Sequence, residues 1–470
     1  MGVGSPFSYF TQGSIMFRTT VLTAALASAF VAPLSAAAAD DKELAAIRAQ
    51  IAEMKQSYEA RLQALEQRLQ EAQVAAQAQA ASQVQAATQA PAPPQAPAPV
   101  PAASNAFNPN ISLVLGGTLS RLSQDPATYR IGGFVPPAGE VGPGKRSFNL
   151  GESELTFAAN IDPMFAGQLT FALGAEDTVG VEEAFVQSRA LSNGLNVRAG
   201  RFLSSVGYLN AQHAHTWDFV DAPLAYQAFF GGQYKPDGVQ AKWLAPTDTL
   251  IELGAELGSG AGFPGNDRNK NGIGAGTVFV HAGDDIGVSG SWRAGLSYLH
   301  TGATGRAFDD NGLASAFSGR SALWIADAIY KWSPNGNPTN QNLKLQGEYF
   351  RRKEDGTLAA GTDRARFEST QSGWYLQGVF QFEPNWRVGL RYDRLASGTP
   401  LFGAGAGAAA FGALAPYDPS RSSLMFDYRP SEFSRLRLQF ASDHARPGAS
   451  DHQIFLQYIM SLGTHAAHAF

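Results

Sequence analysis

The chain has 470 residues, among them 50 Gly, 30 Phe and no Cys, and only 16% are charged. That length admits several soluble domains or one large barrel, and the lack of cysteine excludes disulfide and thiolate chemistry. A net charge of −5 supplies no basic excess and argues against a nucleic-acid partner.

From Met16 the chain carries one Arg, an apolar run from Val21 to Leu34, and small residues up to Ala39. This is the pattern of a secretory signal peptide over residues 1–39, cleaved after Ala37 or Ala39, with residues 1–15 as an upstream extension. The run is too short for a membrane anchor, and no later stretch is long and apolar enough for a spanning helix. Over residues 40–73, Leu44, Ile47, Ile51, Met54, Tyr58, Leu62, Leu65 and Leu69 are spaced by threes and fours. That spacing predicts a short α-helical coiled coil, with a stutter at Met54–Tyr58–Leu62. Isoleucine at both seam positions leans toward three strands, and a single amphipathic helix lying on its own barrel is the alternative. Residues 74–109 pass from Ala/Gln to Pro/Ala, a semi-rigid spacer from Pro91 on.

From residue 110 the period changes to two. Ile111, Leu113 and Leu115 alternate with Ser112, Val114 and Gly116, and similar runs recur, among them 290–300, 321–332, 342–353 and 372–382, to 452–462, about sixteen in all, with external connections at 301–320 and 354–371. An even count suits a bacterial barrel with both ends in the periplasm. Every second connection is a tight turn, as at Asp162-Pro163, Glu383-Pro384-Asn385 and Pro430-Ser431-Glu432, and the alternate ones are mostly longer. Short periplasmic turns and long external loops produce that asymmetry. Trp243, Trp292, Trp332 and Trp386 fall near the short-turn ends, and Trp324 and Trp374 near the other ends, as two interfacial girdles would. In the last strand Ile454, Leu456, Tyr458, Met460 and Leu462 share one parity, and Phe470 is expected to act as the assembly signal. The expectation is an all-β, about sixteen-stranded antiparallel transmembrane β-barrel over residues 110–470, preceded by the short coiled coil. It would sit in the outer membrane of a Gram-negative bacterium, surrounded by lipid, with the coil in the periplasm and an aqueous lumen for small solutes.

Gly200–Asp237 falls third among the external connections and is expected to fold inward and set what passes. The fragments Ala199-Gly200-Arg201-Phe202, Trp292-Arg293-Ala294-Gly295-Leu296, Leu345-Gln346-Gly347-Glu348-Tyr349-Phe350, Arg387-Val388-Gly389-Leu390-Arg391-Tyr392-Asp393 and Leu456-Gln457-Tyr458 carry a likeness. From Ile111 to its end the chain resembles the outer-membrane porins grouped with the phosphate-selective O and P type. The resemblance implies a trimeric diffusion channel, often anion-preferring, with arginines lining the lumen. The chain departs from that pattern at the third loop, which carries His213, His215, Asp218 and Asp221 and no lysine cluster.

On the parity assigned to the lumen lie Arg198, Lys242, Arg293, Lys331, Lys344, Arg352, Arg387, Arg391, Arg435 and Arg437. Opposed to them are Glu152, Glu154, Glu252, Glu256, Asp327, Glu348, Asp393, Asp427 and Asp443. Cations in a low-dielectric tube raise the local anion concentration, and the acids offset part of that. A weak anion preference from the Arg387/Arg391/Arg435/Arg437 face is expected; the competing reading is a hydrated wall of cross-strand pairs. Arg201, just before the third loop, joins His213, His215, Asp218 and Asp221 as a constriction residue. His213 and His215, beside Asp218 and Asp221, are the metal candidates, since imidazole and carboxylate suit zinc; packing against Trp217 and Phe219 is the plainer alternative. Asp267 to Gly272 matches half of a calcium loop, but Val278 stands where the bidentate Glu belongs. His465 and His468 have ligand spacing only if helical. No catalytic constellation or phosphate-cradling loop is present, so neither an enzyme nor a cofactor is expected. A homotrimer is the expected assembly; a zinc-linked uptake channel using the third-loop His and Asp residues and a structural tether reaching the cell wall through the coil are the alternatives.

Overall fold

The computed structural model describes residues 109–137, 141–174, 178–266, 271–310, 312–403 and 411–463. The signal peptide, the coiled coil, the linker up to residue 108, His465, His468 and Phe470 lie outside them. The described residues all belong to a unit spanning residues 103–470.

Sixteen strands form the wall: β1 Asn110–Leu122, β2 Ser153–Asn160, β3 Phe165–Leu173, β4 Val179–Ser188, β5 Leu195–Arg201, β6 Asp237–Leu244, β7 Leu250–Gly258 and β8 Ala275–Ile286. The second half comprises β9 Gly290–Asp310, β10 Leu313–Trp332, β11 Asn342–Ala360, β12 Asp363–Glu383, β13 Trp386–Ala396, β14 Ser420–Ser431, β15 Ser434–Asp443 and β16 Asp451–Gly463. Each pairs antiparallel with its neighbours in sequence, and β1 pairs with β16 from Ser112↔Gly463 to Leu122↔Gln453. The ring is therefore closed and no wall strand is left with an open edge. Two short strands are accessory: Ser147–Leu150 covers the upper part of β1, and Leu401–Phe402 pairs with Phe367 and Glu368.

The alternation is inverted relative to a soluble protein. Along β16, Asp451, Gln453 and Ser461 are buried, whereas Ile454, Leu456, Tyr458, Met460 and Leu462 are exposed. The same outward parity exposes Val239, Leu253, Val280, Leu296, Leu345, Leu376, Leu390, Leu438 and Phe440 around the ring. An apolar belt outside and polar groups inside is the pattern of a barrel solvated by lipid. Aromatic pairs mark its limits. Trp386 packs on Tyr428 at the short-turn end, with Tyr298–Trp324 and Trp374–Tyr392 toward the other.

Two features depart from the sequence expectation. The external connections expected between 300 and 321 and between 353 and 372 are not loops. β9 to β12 run for 21, 20, 19 and 21 residues, so that β9 ends at Asp310 and β10 starts at Leu313, and β11 ends at Ala360 and β12 starts at Asp363. Apolar residues on their inner faces hold these extensions together: Phe317 meets Phe367 edge-on at 5.9 Å, and Val135 and Phe411 from neighbouring loops join the same cluster. The second departure is a bulge in β4, where Thr170 pairs with Glu183 and Phe171 with Val181, leaving Glu182 over. A bulge lets two consecutive side chains point the same way, and Glu182 and Glu183 are both buried in the interior.

Candidate pore constriction

Residues 202–236 connect β5 to β6 and run through the barrel interior. Phe202, Val206, Trp217 and Phe219 are buried, as is every residue of the short helix α1, Leu224–Phe230. Gly231 stops the helix with φ 69°, donating to Gln227 O at 3.1 Å while Gly232 donates to Tyr226 O at 3.3 Å. Only glycine takes that left-handed stop cheaply, and it turns the chain back toward the wall. On one side α1 packs on wall residues that face inward: the Phe229 ring stacks on Phe350 at 5.7 Å, and Tyr226 meets the same ring edge-on at 5.1 Å.

Several polar anchors fix the segment, among them Glu256, which accepts from the Ser204 hydroxyl (2.6 Å) and the Ser205 N–H (3.0 Å), and three larger clusters. Glu348 on β11 accepts from the N–H groups of Tyr208 (3.1 Å) and Leu209 (3.0 Å) and from the hydroxyls of Tyr226 (2.8 Å) and Tyr375 (2.6 Å). Gly207 makes that approach possible: its φ is 65°, and a Cβ there would lie 2.2 Å from Glu348 Oε2. The second anchor is a ladder of acids and cations. Asp218 pairs with Lys344 and with Arg387 (3.0 Å), and Arg387 also pairs with Asp427, which accepts from Arg437 at 2.8 Å. Asp221 pairs with Arg391 (2.9 Å) and Arg421 (2.5 Å), both of which also face Asp393. Burial alone would raise the Asp218 carboxyl, but Lys344 and Arg387 overcome it and hold the group below the usual carboxylate range. Asp221 is lowered in the same way, burial being outweighed by Arg421 and Arg391.

The third anchor is imidazole on carboxylate. His213 Nδ1 lies 2.9 Å from Glu154 Oε2 and 3.0 Å from Glu182 Oε2, and its Nε2 lies 3.2 Å from Glu183 Oε2. His215 Nδ1 lies 2.8 Å from Glu154 Oε1. Burial would lower His213, yet its hydrogen bonds to Glu154, Glu182 and Glu183 raise it well above the ordinary histidine value.

Below the segment, a cavity of about 450 Å³ extends toward the short turns at Asp248 and Asp284. Its lining includes Ser205, Tyr208 and Gln212 from the loop and Lys242, Glu252, His281 and Arg293 from the wall. Glu252 holds both Lys242 (2.8 Å) and His281 (3.0 Å), and the Arg293 guanidinium lies over the Tyr208 ring at 5.3 Å.

Several residues singled out in the sequence converge here, and some do not. Arg198, Arg293, Lys344, Arg387, Arg391, Arg435 and Arg437 all face inward, but most are spent on holding the loop. Arg435 donates to the backbone of His215 and Trp217, and Arg437 also donates to Trp217 O at 2.9 Å. Arg352 is wholly buried, bonded to Gln371 at 2.6 Å and lying over the Phe229 ring, so it lines packed side chains and not water. Arg201 is a correction. Three residues beyond Arg198 on β5, it takes the opposite face with Ala199 and pairs with Asp237 at 2.6 Å, its side chain 40% exposed. The grouping of His213 and His215 with Asp218 and Asp221 is also corrected: the two aspartates are engaged by cations, and the carboxylates beside the histidines come from β2 and β4. Sequence reasoning missed Arg421, Glu182, Glu183 and His281. Arg421 shares parity with Asp427, so continuing β14 by one residue would have found it.

No family model matches the chain. An outer-membrane protein of Vibrio cholerae, OmpT with loop L8 deleted, is similar in structure at TM-score 0.48 and 11% identity, over 76% of this chain and 99% of that one. The anion-selective porin from Comamonas acidovorans (TM-score 0.47, 12% identity, 76% and 99%) and the channel DcaP of Acinetobacter baumannii (0.47, 12%, 76% and 97%) are similar to the same degree. Scores below 0.5 leave the architecture resting on the strand pairing itself. In sequence, an uncharacterized protein of Aquifex aeolicus (strain VF5) is 32% identical over 397 residues, covering 79% of this chain and 81% of that protein. The chain belongs to the same family as that Aquifex aeolicus protein.

Proposed function

We propose that the protein is an outer-membrane porin, a passive aqueous channel for small hydrophilic solutes. The observation that carries this reading is the combination of a lipid-facing apolar belt with an interior of charged side chains around an inserted loop. A barrel of sixteen strands is wide enough to leave water inside even after a loop enters it. Selectivity should be weak. The arginines that would attract anions are matched by Asp218, Asp221, Asp393 and Asp427 at short range, and Arg293 at the cavity is the cation best placed to favour anions. Phosphate preference is a narrower version of the same reading.

Single-channel recording of the reconstituted full chain in a salt gradient tests it. Discrete conductance steps are expected, with a small displacement of the reversal potential toward that of chloride, reduced in Arg293→Gln. Recording in phosphate in place of chloride tests the narrower version. Absence of steps in correctly folded protein would sink the channel reading and leave the structural tether.

A further inference from the structure

His213 and His215 lie two residues apart at the start of a single 3₁₀ turn, Ala214–Thr216, and their ring nitrogens meet on carboxylates supplied by the wall. Glu154 divides its two oxygens between them, at 2.9 and 2.8 Å, and Glu182 reaches the same His213 nitrogen at 3.0 Å. We propose that Glu154, Glu182, His213 and His215 form a binding site for a divalent transition-metal ion of the zinc class, which fastens the third external loop to strands β2 and β4.

Donor atoms of Glu154, His213 and His215 all lie within 4.8 Å of one another, and so do those of Glu154, Glu182 and the neighbouring Glu152. Zinc with bonds of about 2.0–2.1 Å to nitrogen and oxygen needs donors roughly 3.3 Å apart at the corners of a tetrahedron. Three of the six separations in such a site, His213–Glu154, His215–Glu154 and His213–Glu182, are 2.8–3.0 Å, a few tenths of an ångström shorter; loading requires Glu154 to bring one oxygen to both histidines and Glu182 to swing toward His215. Two imidazoles with two carboxylates select zinc-like ions over calcium or magnesium, which want oxygen alone. The wall contributes its part through a specific backbone feature: the bulge in β4 turns Glu182 inward next to Glu183, where a regular strand would send one of them to lipid. Both glutamates of the site are almost wholly buried, while the histidines keep 21% and 11% exposure, which leaves a route for the ion. A dication there offsets negative charge that burial makes expensive.

The site depends on the seating of the loop and not on permeation, so it stands or falls separately from the channel reading. The test uses the full chain in detergent, stripped with a chelator and titrated calorimetrically with zinc. Binding of one zinc per chain is expected, unaffected by His465→Ala/His468→Ala, weakened by more than about 10-fold in Glu154→Gln, since losing a direct ligand costs at least as much as losing an outer partner, and absent in His213→Ala/His215→Ala. Undiminished zinc binding in the last variant, or none in the native chain, overturns the proposal. Should that variant fail to fold, cobalt added to the native chain decides: intense visible bands of four-coordinate cobalt support the site, and the pale spectrum of six-coordinate cobalt overturns it.

Discussion

Asp221 stands between two guanidinium groups, with Arg391 at 2.9 Å and Arg421 at 2.5 Å, and all three side chains are nearly closed off from water. Removing one partner of such a buried pair is costly because the cations left behind keep their desolvation cost and lose their counter-charge. Asp221→Asn should loosen the inserted segment by about 3 kcal/mol, the low end for a buried pair, because Asp393 still faces both arginines. Limited proteolysis checks this: new cleavage within 202–236 is expected with the barrel intact. Acid should act through the same carboxyls. Asp218 and Asp221 are both held below their ordinary value, so their contribution is complete above the unfolded aspartate pKa of about 3.9 and is lost as pH falls through the lowered folded values. Protection of the segment should therefore stay level from pH ~7 to ~5 and fall only below about pH 4; a loss that begins near neutrality would mean that other groups govern it.

At the scale of the element, period two explains both what could be read from the sequence and what could not. Where a strand is regular, parity alone places side chains, and it put Arg387, Arg391, Asp427 and Arg437 on the inner face together. Parity breaks at the β4 bulge, which hides Glu182 and Glu183, and between Arg198 and Arg201 an odd step of three reverses the face. The loop has no period at all, so its partners had to come from the fold. The extended hairpins were missed for another reason. A strand needs only about 9–11 residues to cross the bilayer, and beyond that length β9 to β12 carry Gly, Ser and Asp, residues equally typical of loops. Their stability comes from packing on the inner side, where Phe317 is fully buried against Phe367. Phe317→Ala should cost about 3–5 kcal/mol, and the loss should be confined to the projecting hairpins. Faster protease cleavage near residues 311 and 361, with unchanged heat-modifiable migration of the barrel, is the expected result. If migration changes as well, hairpins and barrel unfold as one unit.

For the whole molecule, the closed ring leaves the membrane-spanning part of the wall no edge through which copies could pair, so association falls to barrel faces, to the projecting hairpins and loops, or to the chain that precedes them. Residues 40–73 carry the heptads, with isoleucine at both seam positions leaning toward three strands. The polar anchors of the inserted loop, by contrast, come from the barrel unit itself, Gly142 and Gln439 among them. Deleting residues 40–73 should therefore lower the trimer fraction on native electrophoresis while leaving the conductance of each barrel unchanged. A trimer fraction that does not fall would assign association to the barrel faces. The same deletion also separates the remaining role of the coil: loss of co-sedimentation with peptidoglycan, with trimers retained, would identify it as the cell-wall tether and not the oligomer's clasp.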